Sequence, residues 1–112
     1  MPNAELAVMD RAKVTGYLLN VQHRYGGSKA RFFGGLGFRL HEWKLLAEAL
    51  REHGQQHDVS RVKESPFGRR YEVDGELRAP AGRPRVRSVW QVDRGQAAPR
   101  LITAHPLEVT DD

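Results

Sequence analysis

The period of the hydrophobic pattern changes near the middle of the chain, and this change constrains the fold more than any other feature of the sequence. Up to His53 the apolar residues recur at helical spacing, whereas from Arg61 onward they alternate with polar residues as in half-buried strands. The alternating segments are joined by short turns, which implies antiparallel pairing. The sequence therefore predicts an α+β fold in which N-terminal helices pack on a C-terminal four-stranded antiparallel sheet.

Three helices are predicted in the first half, over residues 11–19, 29–36 and 41–53. Asp10 and Ser28 are the expected N-caps of the first two, because a short polar side chain can accept a hydrogen bond from a free backbone N–H. Gly54 is the expected C-cap of the third helix. The segment 20–27 has the composition of a loop. The apolar face of the first helix is expected to consist of Val14, Tyr17 and Leu18.

Four strands are predicted in the second half, over residues 61–64, 69–77, 85–93 and 100–106. Alternation in the third strand predicts one face with Val86, Ser88, Trp90 and Val92 and an opposite face with Arg85, Arg87, Val89 and Gln91. One of these faces is expected to be core and the other to be solvated. In the fourth strand, the same alternation places on one face Leu101, Thr103 and His105.

The length of 112 residues indicates a single domain, and the 39% of hydrophobic residues supply enough apolar material for one small core. We expect residues 1–9 to form an N-terminal arm and residues 107–112 a short, frayed acidic tail. The absence of cysteine excludes disulfides, thiolate zinc sites and a cysteine nucleophile. Because the sequence has no membrane-length apolar stretch and no signal-peptide pattern, we expect a soluble, cytoplasmic protein.

Basic residues are concentrated in the second half of a chain whose net charge is +4 and whose isoelectric point is near 9.9. Between Arg61 and Arg100 there are ten basic residues, nine of them arginine, and five acidic ones. The planar guanidinium group suits bidentate contacts with phosphate, so this excess favours an anionic partner. A biased codon composition produces the same richness in arginine, and that interpretation stays open.

The sequence shows no pattern typical of metal or nucleotide binding. The five histidines form no HxH pair, and the one HxxxH pair, His53 and His57, is predicted to lie across a helix break at Gly54. The GGSK segment at residues 26–29 lacks the spacing of a phosphate-binding loop and the strand that precedes one. A nucleophile turn of the GxSxG type is also missing. We therefore expect neither a metal site nor a cofactor.

One reaction fits these residues without a metal, namely cleavage of RNA by attack of a 2′-hydroxyl on the adjacent phosphate. It needs a base, an acid, and cations or hydrogen-bond donors for the charge that develops on the phosphoryl group. The residues that could supply these functions are His23, Ser28, Lys29, Arg85, Arg87, Thr103 and His105. Each of them also has an ordinary interpretation as a loop, surface or strand residue.

Three segments carry a resemblance to a known family: YLLNVQHRYGGSKARFFGGLGF at 17–38, VRSVW at 86–90 and PRLITAHP at 99–106. They resemble a small bacterial family of unknown function whose members read YLLN-x-x-H-P-x-G-x-x-K-A-x-F-F-x-x-L-G-F, then VRTVW and PRL-[VI]-TAYP. Such domains occur alone and in association with bacterial toxin modules. Their order of helices and strands is similar to the barnase-EndoU-colicin-RelE (BECR) ribonuclease superfamily, which implies a toxin ribonuclease by analogy of fold.

The resemblance implies the polar site residues His23, Lys29, Arg87, Ser88 and Thr103, with His105 where the family has tyrosine. Arg24 stands where the family has proline. From the chemistry of the groups, we expect His23 to act as acid or base and Thr103 to orient the phosphate. Lys29 and Arg87 are expected to stabilise the charge of the transition state. The expected substrate-binding residues are Ser28, Arg85, Ser88 and His105.

Three functions are compatible with these observations. The leading hypothesis is a metal-independent ribonuclease of bacterial toxin type, which acts on RNA or the ribosome and has a cognate antitoxin or immunity protein. The second is a non-catalytic binding module, such as an immunity, antitoxin-like or adaptor protein. The third is a nucleic-acid binder without catalysis, whose affinity would depend strongly on salt.

Overall fold

The chain folds as helices first and a sheet second. A computed structural model describes residues 1–24 and 27–107. The helical elements are a 3-10 turn (Ala4–Leu6), α1 (Arg11–Lys13), a π-helical turn (Val14–Leu18), α2 (Gly27–Gly35), a second 3-10 turn (Leu40–Glu42) and α3 (Trp43–Gln56). The strands are β1 (Val59–Ser65), β2 (Gly68–Glu76), β3 (Arg85–Asp93) and β4 (Arg100–Pro106). The predicted α+β fold class is confirmed, and no helix of the described residues is long and apolar enough to cross a membrane.

The four strands form one antiparallel sheet in the order β1-β2-β3-β4. β3 and β4 have the predicted bounds, whereas β1 begins at Val59 rather than at Arg61. Short turns between successive strands produce this order. α3 packs on the sheet face that carries Val86 and Trp90, and the hydrophobic core lies between them. We call this the core face of the sheet and the opposite one the outer face.

The first predicted helix changes its geometry after one turn. The Asp10 carboxylate accepts a hydrogen bond from the Ala12 N–H at 2.9 Å, so the predicted N-cap is confirmed. The following turn is π-helical, because the Leu19 N–H donates to the Val14 carbonyl five residues earlier, at 2.9 Å. This turn buries Val14 and leaves Tyr17 half-buried beside β4. The prediction of one uninterrupted α-helix is therefore wrong, and single π-turns of this kind are frequent at functional sites.

Gly54 does not end α3, contrary to the sequence prediction. The helix continues to Gln56, and Gly54 lies on the side that packs against β3. A Cβ atom at this position would lie 2.8 Å from the ring of Trp90, closer than carbon atoms normally approach. The glycine therefore permits the close contact between helix and sheet. Because the helix continues past Gly54, the ring of His53 in α3 and that of His57 directly after the helix lie 4.9 Å apart between centroids.

A β-bulge in β4 changes which side chains share a face. Thr103 and Leu101 pair with consecutive residues of β3, so Ile102 between them is an extra residue. One extra residue shifts the alternation of side chains, as a register slip does. Leu101 is therefore buried on the core face, whereas Thr103 and His105 lie on the outer face. The prediction that these three residues share one face is wrong for Leu101.

The predicted N-terminal arm is attached to the edge of the sheet beside β4. The Val8 N–H donates to the Pro99 carbonyl at 2.8 Å, and the Val8 carbonyl accepts from the Leu101 N–H at 3.1 Å. Ala7 is buried against the core. These contacts place the start of α1 next to β4, which is where the cleft described below is formed.

The predicted loop and tail are described only in part. Residues 25–26 of the loop and residues 108–112 of the tail lie outside the described residues. The first residue of the tail, Leu107, continues the contact with the sheet, since its N–H donates to the Arg85 carbonyl at 3.0 Å.

Candidate functional site

Tyr17 lies at the centre of a cluster that includes three of the predicted site residues. Its phenol oxygen is 3.3 Å from the hydroxyl of Thr103, a contact that joins the helical half of the chain to β4. The ring of His23 meets the Tyr17 ring edge-on at 4.9 Å between centroids. The Nζ atom of Lys29, in the first turn of α2, lies 5.4 Å from the centroid of the same ring. The structure thus brings His23, Lys29 and Thr103 together around a residue that the sequence analysis did not select.

The cluster borders a cleft of about 640 Å³ between α1, the π-helical turn and β4. Tyr17, His23 and Thr103 line the cleft together with Asp10 and Lys13. The Nζ atom of Lys13 lies 5.3 Å from the centroid of the Tyr17 ring. One small volume is therefore surrounded by a phenol, an imidazole, a hydroxyl, a carboxylate and an ammonium group.

The phenol of Tyr17 is more acidic than that of an ordinary tyrosine. Partial burial by itself raises the pKa, but the hydrogen bond with Thr103 lowers it, as do the hydrogen bond and charge of Lys29 and the charge of Lys13. Together these effects outweigh burial, and the pKa of Tyr17 lies below the ordinary value of 10.0. The physical reason is that hydrogen-bond donors and cations stabilise the phenolate more than the neutral phenol.

A groove on the outer face of the sheet continues from the cleft. It has a volume of about 330 Å³, and Thr103 borders both the groove and the cleft. Arg87 and His105 are register neighbours on β3 and β4, and both line the groove. Its basic lining from β1 and β2 consists of Arg61, Lys63 and Arg70. The groove therefore connects the cluster around Tyr17 with part of the basic half of the chain.

The guanidinium group of Arg87 is held by two carboxylates of β2. Its Nε and Nη2 atoms donate to the two oxygens of Asp74 at 2.8 and 2.9 Å, and Nη1 lies 3.0 Å from a Glu72 oxygen. The hydrogen bonds between the two groups raise the pKa of Arg87 and lower that of Asp74. The sequence predicts that Arg87 directs its charge at phosphate, whereas the structure offsets this charge with two carboxylates.

Neither of the two serines among the predicted substrate-binding residues lines the groove or the cleft. Ser88 is fully buried on the core face, where its hydroxyl is 2.8 Å from His53 and 2.8 Å from the indole nitrogen of Trp90. The sheet itself separates Ser88 from the groove, so a substrate there cannot contact it. Ser28 is exposed within the first turn of α2 and is not its N-cap, because the helix already begins at Gly27.

The other two predicted substrate-binding residues lie on the outer face. Arg85 is exposed at the start of β3 and pairs in register with Glu76. His105 is half-buried on β4, and its Nδ1 atom lies 3.2 Å from the Pro106 carbonyl. Both residues extend the polar surface from Thr103 toward the start of β3.

The histidines that come together elsewhere are occupied by hydrogen bonds to the backbone. His53 Nε2 lies 2.9 Å from the Val86 carbonyl, and His57 Nε2 lies 2.9 Å from the Glu76 carbonyl. Within the described parts of the chain, no three histidine or carboxylate side chains are grouped so that they could hold a metal ion.

Tyr17 is the site residue that the sequence analysis missed. The helical spacing placed it with Val14 and Leu18 on an apolar face, where a tyrosine is expected to be a core residue. The available signal was its position, because Tyr17 begins the segment 17–38 that also contains His23 and Lys29.

Comparisons with known proteins identify a family and a fold. The family model of a domain of unknown function, DUF6883, matches residues 1–108. A solved structure described as a contact-dependent growth inhibition toxin and immunity protein complex from Klebsiella pneumoniae 342 contains a chain with a similar fold. The two chains are 15% identical with a TM-score of 0.70, and the match covers 89% of this chain and 99% of that one. No curated protein matches the sequence.

Proposed function

The chain belongs to the DUF6883 family, and we propose that it is a metal-independent ribonuclease of bacterial toxin type. Its substrate is RNA, free or on the ribosome, and the reaction is attack of a 2′-hydroxyl on the adjacent phosphate. A toxin of this type is paired with a protein that neutralises it, so the expected protein partner is a cognate immunity or antitoxin-like protein. The fold shared with a chain of a toxin and immunity protein complex supports a role in such a pair.

One observation carries the proposal, namely the meeting of Tyr17, His23 and Thr103 at a cleft that continues into a basic groove, with Lys29 beside the Tyr17 ring. These side chains supply proton transfer, positive charge and hydrogen-bond donation, which are the functions that this reaction needs. They come from the π-helical turn, the following loop, α2 and β4, so their proximity is a product of the tertiary fold. Convergence of such groups in one concave site is the pattern expected of an active site.

The proposed roles follow from the chemistry of the groups. His23 accepts the proton of the 2′-hydroxyl, and Lys29 neutralises the charge that grows on the non-bridging phosphate oxygens. Thr103 orients the phosphate between them. Arg61, which lines the groove, and Arg85, exposed at the start of β3, contact phosphates away from the cleaved bond, because basic side chains along a surface follow the nucleic-acid backbone.

Arg87 has a smaller catalytic part in this proposal than the sequence suggested. Two of its five N–H groups are donated to Asp74, and Nη1 also faces Glu72. Its main effect is to hold these two carboxylates at the floor of the groove and to offset their charge. The remaining N–H groups contact the substrate beside His105.

The test is incubation of the purified chain with total RNA, and separately with ribosomes, in the presence of a chelator, followed by gel electrophoresis. Wild-type protein is expected to fragment RNA, and Lys29→Ala is expected to slow cleavage by about 100-fold or more. Lys44→Ala is the matched control, because it removes the same charge from an exposed position on α3 outside the cleft and the groove. Intact RNA after prolonged incubation with the wild type, alone and with ribosomes, would overturn the proposal.

Growth of a bacterial host during induction provides an independent readout. Wild type is expected to arrest growth with fragmentation of RNA, and the Lys29→Ala/Thr103→Val double variant is expected to permit growth. Valine keeps the shape of threonine and removes only the hydroxyl. Arrest by the double variant, at the same expression level and with the same RNA fragments, would contradict the assigned site.

A second candidate function is a non-catalytic binding module such as an immunity protein. It is favoured by the ion pairs that arginines of β3 and β4 form within the chain, Arg87 with Asp74 and Arg100 with Asp93. Paired arginines offer less net charge to RNA, and they present an alternating charge pattern that suits recognition of a protein surface. Intact RNA in the assay above, together with saturable binding to the protein encoded next to this chain, would favour this function.

A further inference from the structure

Tyr17 connects the members of the proposed site, yet the roles assigned above leave it without a function. Its oxygen is 3.3 Å from Thr103, the residue expected to orient the phosphate, and its ring contacts that of His23, the expected base. A phosphate bound by Thr103 therefore lies within reach of both the imidazole and the phenol. Two groups that can exchange protons with one bound phosphodiester are what this cleavage requires.

We propose that Tyr17 is the general acid of the reaction and donates its proton to the 5′-oxygen that leaves phosphorus. This inference rests on the proposed ribonuclease function. It goes beyond it by assigning the acid to a residue of the π-helical turn and by restricting His23 to the role of base.

The atoms and protons of the step balance with these two groups. The 2′-oxygen forms a bond to phosphorus as its proton passes to His23, and the P–O5′ bond breaks as the proton of Tyr17 passes to the 5′-oxygen. The products are one RNA that ends in a 2′,3′-cyclic phosphate and one that begins with a 5′-hydroxyl. His23 is then protonated and Tyr17 is a phenolate, and exchange of one proton through water restores both groups.

The charged groups around the phenol favour this direction of proton transfer. Lys13 faces the ring from α1 and Lys29 faces it from α2, at 5.3 and 5.4 Å from the centroid. Asp10, before α1, and His23, in the loop, line the same cleft, while β4 contributes the neutral hydroxyl of Thr103. Two ammonium groups against one carboxylate stabilise the phenolate that forms when the proton leaves.

The acidity of the phenol is consistent with the same role. The pKa of Tyr17 is below that of an ordinary tyrosine because hydrogen bonds and cations outweigh burial. Such a phenol transfers its proton more readily than a solvated one, because general acids work best when their pKa approaches the operating pH.

The experiment compares two substrates that differ in the leaving group. One is an RNA oligonucleotide that spans a cleavage position mapped for the wild type, and the other has sulfur in place of the bridging 5′-oxygen at that position. A thiolate leaves without protonation, so it has no need of a general acid. Tyr17→Phe is expected to slow cleavage of the oxygen substrate by about 100- to 10,000-fold and to leave cleavage of the sulfur substrate within a few-fold of wild type. Tyr71→Phe, at a buried tyrosine of β2 outside the cleft, is the matched control.

The outcomes separate this inference from the proposed function. Cleavage of both substrates by Tyr17→Phe at the wild-type rate would overturn the role of Tyr17 and leave the ribonuclease standing. Equal slowing on both substrates would also overturn it, because a residue that only positions others affects the two leaving groups alike. If the wild type cleaves neither substrate, the ribonuclease proposal fails and the assignment of Tyr17 fails with it.

A second measurement keeps the inference testable if Tyr17→Phe does not fold. For the wild type, the rate on the oxygen substrate is expected to fall at alkaline pH as Tyr17 loses its proton, and this fall is expected to be missing with the sulfur substrate. The same alkaline fall with both substrates would overturn the inference.

Discussion

The hydroxyl of Ser88 on β3 lies 2.8 Å from Nδ1 of His53 on α3, and this contact links a buried histidine to the sheet. Nε2 of His53 lies 3.1 Å from the Gly75 carbonyl and 2.9 Å from the Val86 carbonyl. Carbonyl oxygens only accept hydrogen bonds, so Nε2 carries the proton and Nδ1 accepts from Ser88. The Ser88 oxygen in turn accepts from the indole N–H of Trp90 at 2.8 Å. A neutral imidazole therefore joins α3 to the sheet.

This network predicts a loss of stability below neutral pH. Burial, the largest effect, lowers the pKa of His53 below 6.5, and the neighbouring His57 acts in the same direction. Between the lowered pKa and about 6.5 the unfolded chain binds a proton that the folded chain does not, so stability is complete above this window and falls as pH decreases through it. Urea denaturation between pH 7.5 and pH 5 is expected to show this fall. His53→Gln is expected to reduce this decrease in the free energy of unfolding, whereas the exposed His41→Gln is expected to leave it unchanged. The same pH dependence in His53→Gln as in the wild type would contradict the prediction.

Two glycines of the helices are expected to respond to alanine in opposite ways. A Cβ at Gly54 would meet the Trp90 ring at 2.8 Å, whereas a Cβ at Gly34 of α2 has no neighbour within 4 Å. Gly54→Ala is therefore expected to lower the free energy of unfolding by about 1–2 kcal/mol, despite the better helix propensity of alanine. Gly34→Ala is expected to raise it by about 0.5 kcal/mol. Thermal and urea unfolding of the two variants check the difference in sign.

The pairing of Arg87 with Asp74 predicts an effect on stability that is separate from catalysis. Arg87→Ala is expected to lower the free energy of unfolding at pH 7 by about 2 kcal/mol, because Asp74 loses both hydrogen bonds from Arg87 and the largely buried Glu72 keeps only Lys63 as an ion-pair partner. The hydrogen bond from Arg87 lowers the pKa of Asp74 below 3.8, so the stabilisation is present above that pH and is lost as pH falls through the lowered pKa. Urea denaturation from pH 7 to pH 2 is expected to show a shallower acid limb in the variant.

An exposed ion pair provides the control for Arg87. Arg78 pairs with Glu52 at 3.3 Å, and the Arg78 side chain is 69% exposed. Arg78→Ala is expected to cost less than about 1 kcal/mol and to leave the acid limb unchanged. Equal losses from the two variants would contradict the view that the Arg87 pairing organises the outer face.

Binding of RNA to the outer face predicts a change in salt dependence. Arg85→Ala is expected to lower the slope of log K against log salt concentration by about 0.7–0.9, because one phosphate contact is lost. The measurement is fluorescence anisotropy of a labelled single-stranded RNA with the Lys29→Ala background, which prevents cleavage during titration. Arg78→Ala lies away from the outer-face groove and should keep the wild-type slope.

The prediction of the fold from the sequence succeeded where neighbouring residues decide the structure. β3 and β4 have the predicted bounds, because alternating residues and turn residues beside them act over a few positions. Two of the failures involve distant partners. Gly54 has the local signature of a helix end, but it lies inside α3. A glycine is needed there because the Trp90 ring of β3 approaches too closely for a side chain. The bulge at Ile102 has no local signature and follows from the pairing of β4 with β3.

The types of residue in the candidate site could be predicted from the sequence, but only some of the individual residues could. His23, Lys29 and Thr103 were selected from their chemistry and from the family resemblance, and the structure places them together. Ser88 was selected from the resemblance alone. The alternation of side chains along β3 could not show which of the two faces of the strand is buried. Tyr17 was missed because an aromatic residue at helical spacing is expected to be a core residue. Its oxygen instead contacts Thr103 of β4, which lies 86 positions later in the chain.

The sequence by itself determined the order of helices and strands, the alternation along β3 and the set of polar groups available for chemistry. These properties depend on residues close in the chain, where periodicity and capping act. The tertiary structure alone decided that the Arg87 charge is shared with Asp74, that Ser88 belongs to the core and that Tyr17 joins the cleft. Each of these outcomes depends on contacts between elements far apart in the chain, and such contacts form only when the helices pack on the sheet.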